Sequence, residues 1–207
     1  MMKKYTPPSV ALFLLLFSVL APSLSTAGAP TEQIEASVDK ILAILKNPQL
    51  KPSARIKERR DQLRQAISSR FNFAEMARRS LGSHWRRLSS KEQEEFVLLY
   101  TDLLERAYVD RIETYSDEKF VYLRENLDRD YAEVISRIVT DKGQEYSLNY
   151  KVHLLNGEWK VYDVVIENIS LVNNYRSQFS RIIVNSSYEE LVRRMKDKQI
   201  EMAGEKK

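Results

Sequence analysis

Side chains able to do covalent or acid–base chemistry are few in this sequence and badly spaced for it. Ser37-Val-Asp-Lys40 and Ser116-Asp-Glu-Lys119 both match S-x-x-K, in which a lysine supports a nucleophilic serine, but the companion K-T-G element is missing and both read as chance. No G-x-S-x-G places a serine on an elbow. The two histidines, His84 and His153, lack metal-ligand spacing, and His153 reads as a solvated imidazole on the wet face of a strand. Five glycines are too scattered to cradle a phosphate. With no cysteine there is no thiolate nucleophile, no cysteine-bound metal and no disulfide. Asp163 stands apart from the other carboxylates because it shares a predicted strand face with Trp159, Val161 and Val165. A buried carboxylate needs partners, so it reads as structural before catalytic. The expectation is a protein that is not an enzyme and needs no cofactor or metal.

The elements that carry these residues are legible from periodicity. Residues 32–46 form an amphipathic helix, with Ile34, Val38, Ile41, Leu42 and Leu45 on one stripe. Asn47-Pro48 ends it, since proline disfavours helical geometry in the residue before it. A second helix follows Pro52. A third opens at Asn72, with Glu75 placed to reach back and Phe71 to staple onto Met76, and it stops at Gly82. Ser89 and Glu92 make a capping box for the longest helix, roughly 90–114. After Ser116 the period becomes two, giving strands at 119–126, 131–140, 144–155 and 158–167. Asn156-Gly157 is a two-residue hairpin signal, and short connections throughout predict an antiparallel meander. From Asn173 the chain returns to helix, with Tyr175 and Phe179 on one face, and a last helix follows Ser186-Ser187. The fold class is α+β: a four-stranded antiparallel sheet packed against a mostly helical layer. The expected layout is helical over 30–116, sheet over 117–168 and helical over 169–203.

The amino terminus and the charge set the compartment. Lys3 and Lys4 precede the apolar run Val10 to Leu20, and Ser25 and Ala27 are a small pair at a cleavage point. This predicts a secretory signal peptide over residues 1–27, too short in its apolar part to span a bilayer. Removing residues 1–27 leaves 180 residues, 28–207, enough for one domain, and lowers the formal charge from +4 to +2. That balance argues against nucleic acid. The clusters Arg55 to Arg60, Arg78-Arg79, Arg86-Arg87 and Arg193 to Lys196 read as solvated helix faces, with anionic headgroups or an acidic partner as the alternative. The apolar inventory exceeds what a plain two-layer packing needs. It fits either a well-filled core or a cavity for a long apolar ligand.

Two stretches carry a resemblance. Phe71-Asn-Phe-Ala-Glu-Met-Ala-Arg-Arg-Ser-Leu-Gly-Ser-His-Trp-Arg-Arg-Leu-Ser89 is one, continuing through Phe96, Leu103, Leu104 and Tyr108; the other is Trp159-Lys-Val-Tyr-Asp-Val-Val-Ile-Glu-Asn-Ile-Ser-Leu-Val-Asn-Asn-Tyr-Arg-Ser-Gln-Phe179. Both resemble the MlaC family of periplasmic phospholipid-binding proteins, also called the toluene-tolerance family. Asn168 departs from the glycine that members often carry there. The resemblance implies a soluble periplasmic carrier of glycerophospholipid, with an apolar lipid cavity between sheet and helices. Its implied partners are an inner-membrane ABC lipid transporter with a ring-forming substrate-binding protein and an outer-membrane lipoprotein–porin complex. Alternatives are a carrier of another amphiphile, such as a hopanoid, and a ligand-free interaction module. The expected lipid-binding residues are Phe96, Leu99, Tyr100, Leu103, Leu104 and Tyr108 on the long helix. To these are added Tyr146, Leu148, Tyr150, Val152 and Val161 on the sheet, and Ile169, Leu171, Tyr175 and Phe179 beyond it. Arg176 is expected at the cavity mouth or paired with an acid such as Glu167.

Overall fold

The computed structural model describes residues 30–114, 117–198 and 200. The expected signal peptide lies outside the described residues, as does Ser116 of the second S-x-x-K match. The first helix, α1 (Pro30–Lys46), is seated by a carboxylate from the sheet: Glu125 accepts from Thr31 N at 2.8 Å and from Thr31 Oγ1 at 2.7 Å. An anion at a helix N-terminus satisfies orphan donors and meets the positive end of the dipole. Asn47 ends α1 in extended geometry, its side chain accepting from Gln49 N at 2.9 Å. After two short 3-10 turns comes α2 (Ile56–Arg70), then α3 (Phe73–Leu81). Asn72 caps α3 by accepting from Glu75 N at 3.0 Å, but Glu75 does not reach back. Its carboxylate is taken instead by Arg78 at 2.6 Å and Arg79 at 2.6 Å, and Phe71 stacks on Phe73 rather than stapling alone onto Met76. The box before α4 (Ser90–Glu113) closes in both directions, Ser89 N to Glu92 at 2.7 Å and Glu92 N to Ser89 Oγ at 3.4 Å.

The sheet is antiparallel in the order β1 (Lys119–Asp128), β2 (Tyr131–Val139), β3 (Glu145–Leu155), β4 (Glu158–Ile166), β5 (Ile169–Ser170). Asn156 at φ 52° and Gly157 at φ 82° make the expected tight hairpin. A fifth strand was not expected. It exists because Glu167 and Asn168 both take positive φ, 47° and 64°, and fold Ile169–Ser170 back on Ile166 and Val165. Asparagine tolerates that region with little strain, so the departure from glycine costs the turn little. A second difference is a bulge. Lys151 pairs with Asp163 but Val152 pairs with Val161, leaving Tyr162 as the extra residue. A bulge shifts the alternation by one, so Asp163 and Val165 do not continue the face of Trp159 and Val161. Asp163 is buried, and its carboxylate accepts from Ser170 Oγ at 2.6 Å and Val172 N at 3.1 Å. It anchors the start of α5 (Leu171–Asn185), a structural part.

His153 is not a solvated imidazole. It is half-buried between Tyr131 and Tyr162, with ring centroids at 6.2 and 5.7 Å. Asn72 uses its Oδ1 for the helix cap, so its amide donates to His153 Nε2 at 3.1 Å. Burial pushes the His153 pKa down, and the imidazole accepts in its neutral form. Arg79 lies over the Tyr162 ring at 4.0 Å.

α5 and α6 (Tyr188–Lys196) return over the helical layer. Phe96, Tyr100, Tyr175 and Phe179 interlock there at centroid distances of 5.6–6.2 Å, all fully buried. Arg176 is neither at a mouth nor paired with Glu167, which instead accepts from Ser147 N. Its Nε donates to the Arg79 carbonyl at 2.9 Å, beside Gly82. A cation on the last carbonyls of α3 offsets the negative end of that helix. Arg176→Ala is expected to lower stability by about 0.5–1 kcal/mol, read by urea unfolding. An unchanged midpoint would show that this contact holds nothing.

Candidate functional site

A cavity of about 760 Å³ lies between the sheet and the helical layer. Close-packed interiors leave few voids larger than a water molecule, and ligand pockets run about 300–1,000 Å³. α1 contributes Ile34, Val38, Ile41, Leu42 and Leu45, the stripe legible in the sequence; Ile67, Phe71, Phe73 and Met76 come from α2, α3 and their junction. The sheet adds Phe120, Ile138, Tyr146, Leu148, Tyr150 and Val161, followed past the bulge by Val164 and Ile166. From α4 come Thr101, Leu104, Glu105, Tyr108 and Ile112. Tyr150 is buried, and desolvation pushes its hydroxyl well above the ordinary tyrosine range, so it stays a neutral phenol.

Seven of the expected site residues line this cavity: Leu104, Tyr108, Tyr146, Leu148, Tyr150, Val161 and Leu171. Eight do not. Phe96, Tyr100, Leu103, Tyr175 and Phe179 are spent on the helix–helix core, where all are at most 1% exposed. Leu99 packs against that core, Val152 is buried beside Trp159 and Val161 within the core cluster, and Ile169 on the short fifth strand is 48% exposed. α4 therefore buries two stripes. Phe96, Tyr100, Leu103 and Ala107 meet helices, while Thr101, Leu104, Glu105 and Tyr108 meet the cavity. Adjacent residues are about 100° apart on a helix, so one step in sequence separates core from wall. The α1 wall and Phe120 and Ile138 were missed as site residues, although the α1 stripe was itself the available signal.

Polar struts hold the walls apart. Arg70 donates to Ser37 Oγ at 2.8 Å, Gln33 Oε1 at 2.8 Å and the Trp159 carbonyl at 2.6 Å, joining α2 to α1 and β4. Gln33 Oε1 also accepts from Trp159 N at 2.9 Å. Ser37, the serine of the first S-x-x-K match, is thus a bridge. Across the cleft, Glu113 on α4 takes Arg59 at 2.9 Å on one oxygen and Arg60 at 2.7 Å on the other, with its side chain only 11% exposed. Glu105 pairs with Arg64, Nε to Oε1 at 2.5 Å. Among the described residues no group of three His, Cys, Asp or Glu is placed to hold a metal, and no helix is long and apolar enough to cross a membrane.

A deep, mostly apolar volume walled by both layers of the fold is the geometry of a site for an apolar ligand. The chain matches the family described as MlaC protein over residues 35–197, and it belongs to that family. It is 23% identical over 193 residues to the intermembrane phospholipid transport system binding protein MlaC of Haemophilus influenzae, covering 88% of this chain and 90% of that protein. Its fold is shared, at a TM-score of 0.73 and 22% identity, with the phospholipid-binding protein of Ralstonia solanacearum, solved in complex with a phospholipid. That match covers 83% of this chain and 97% of the other.

The Glu113 strut generates a pH prediction. Burial pushes its carboxyl up, but hydrogen bonds from Arg60 and Arg59 outweigh that and leave its pKa below the ordinary value. A depressed folded-state pKa contributes stability above the unfolded value, near 4.3, that is lost as pH falls through the folded value. Glu113→Gln is therefore expected to be less stable than wild type at pH 7, by about 1 kcal/mol for a partly buried pair. The gap should close as the solution is taken below about pH 4, measured by unfolding midpoints across pH. A gap that persists unchanged in acid would show that the carboxylate charge is not what holds the strut.

Proposed function

We propose that this chain is a carrier of glycerophospholipid, exported through its amino-terminal signal peptide and working in the periplasm between membrane complexes. The carrying observation is the cavity of about 760 Å³ walled by both layers of the fold. Close-packed cores leave few voids larger than a water molecule, so a volume this large is not a packing fault. It is therefore read as binding volume, which weighs against a module whose core is simply filled. Family membership, and the names of the Haemophilus influenzae and Ralstonia solanacearum proteins, favour phospholipid over other amphiphiles. Exchange with an inner-membrane ABC transporter bearing a ring-forming binding protein, and with an outer-membrane lipoprotein–porin complex, is part of the same proposal and follows from the resemblance of the sequence to the family. No cofactor enters, because exchange is a partition equilibrium.

Mass spectrometry of solvent-extracted protein should recover diacyl phospholipid in near-stoichiometric amount. A consistently lipid-free preparation, or a different amphiphile, would overturn the reading. Two variants separate wall from core. Leu148→Trp projects into the cavity and is expected to cut lipid content severalfold, at a stability cost below about 1 kcal/mol because the added volume has room. Leu103→Ala, in the fully packed stripe, should cost about 2–5 kcal/mol with lipid per folded molecule unchanged.

A further inference from the structure

The cavity wall is mostly apolar, and at one place a cation and an anion of the lining are paired with each other. Its charged lining residues are Arg64, Arg70, Glu105 and Glu118. Arg70 is committed to Ser37, Gln33 and the Trp159 carbonyl. Glu118 belongs to the segment just before β1. Arg64 and Glu105 face one another across the cleft between α2 and α4, with side chains 50% and 26% exposed. Residues that both line the cavity and reach water form its rim; this pair is one part of that rim, and Tyr146, 43% exposed, is another.

The local charge is specific. Arg64 gives Nε and Nη2 to Glu105 and Nη1 to Asp61 Oδ1 at 2.7 Å. Two carboxylates thus flank one guanidinium, and Lys57, 92% exposed, reaches Asp61 only at 3.8 Å. An anionic headgroup taking this guanidinium would displace Glu105 and bring no cation for it, while Lys57 stays with Asp61 at 3.8 Å. A zwitterionic headgroup with a free ammonium can exchange partners instead. Its phosphate takes the guanidinium fork, bidentate geometry that arginine suits, while its ammonium takes the released Glu105 carboxylate. No charge is then left unpaired.

We propose that Arg64 and Glu105 read the headgroup, favouring zwitterionic phospholipid with a primary ammonium over anionic phospholipid. This rests on the phospholipid-carrier reading. The pair is half-exposed, so its discrimination is on the scale of a surface ion pair, about two- to fivefold.

The test incubates the mature chain with vesicles holding equal phosphatidylethanolamine and phosphatidylglycerol, re-isolates it, and measures total phospholipid per chain and the ratio of the two. Wild type should be enriched in phosphatidylethanolamine about two- to fivefold over the vesicles. Glu105→Gln and Arg64→Gln should each bring the ratio close to that of the vesicles, with total lipid retained. Glu105→Lys, which makes the rim cationic, should reverse the preference. Glu95→Gln serves as the control, since it removes an exposed ion pair with Lys196 at a residue outside the lining; it should leave the ratio at the wild-type value. Absence of lipid from wild type would sink the carrier reading itself. Normal lipid content with a ratio that ignores Glu105 and Arg64, or that moves as much in Glu95→Gln, would overturn the headgroup inference alone.

Discussion

Arg70 holds three elements at one point, with its guanidinium shared among Ser37 and Gln33 of α1 and the carbonyl of Trp159 on β4. Much of the architecture depends on that tie. An apolar sheet face and apolar helices brought together in water would close on one another, since burial is worth roughly 25 cal/mol per Å². Here they are kept apart at fixed spacing. Partial burial lowers the Arg70 pKa, although a nearby Glu158 opposes the shift, and the cost of desolvating the guanidinium is offset by three acceptors. On the opposite side, Arg59, Arg60 and Arg64 of α2 reach Glu113 and Glu105 of α4. Long side chains joining charges across a gap fix a distance that direct packing of apolar side chains would have abolished.

The division of labour within α4 follows from this spacing. Its aromatic stripe closes on Tyr175 and Phe179 and is solid core, with edge-to-face contacts such as Phe96 on Phe179 at 5.7 Å and 88°. That rigid block lets the neighbouring stripe face a cavity without collapsing into it. Asp163 works similarly at the other wall. By anchoring the first turn of α5 it places Leu171 in the same lining as Val164 and Ile166 of β4.

Most elements were legible in the sequence because their signals are local. The caps at Asn72, Ser89 and Ser187, the Asn47-Pro48 stop and the Asn156-Gly157 turn each act within four residues. What escaped was non-local. Periodicity marks Leu103 and Leu104 alike as buried, and nothing within the helix says which one is packed away from the cavity and which lines it. The bulge at Tyr162 reverses the expected facing of Asp163 and Val165, and a single extra residue leaves no compositional mark. Arg176 was misplaced for a related reason: its partner is a backbone carbonyl 97 residues away, a group no side-chain pattern announces.

These features bear on how a carrier would release what it holds. A diacyl lipid has on the order of 30 methylenes, each contributing roughly 0.8 kcal/mol on burial, so gross transfer is on the order of 20 kcal/mol. A bilayer offers about the same. A wall that bound the chains much better than a membrane would never return them, and one that bound them worse would never extract them. The apolar lining here is membrane-like, and its few polar groups lie in struts and at the rim. Free-energy differences between lipids must then arise where the cavity meets water, and there the Arg64–Glu105 pair supplies charge of both signs. The struts also limit how the cleft can yield. Separating α2 from α4 means breaking ion pairs at Glu105 and Glu113, whereas the Arg70 junction ties α2 to α1 and β4 through neutral acceptors. Added salt weakens the half-exposed Arg64–Glu105 pair more than the part-buried pairs at Glu113 or the hydrogen bonds of Arg70.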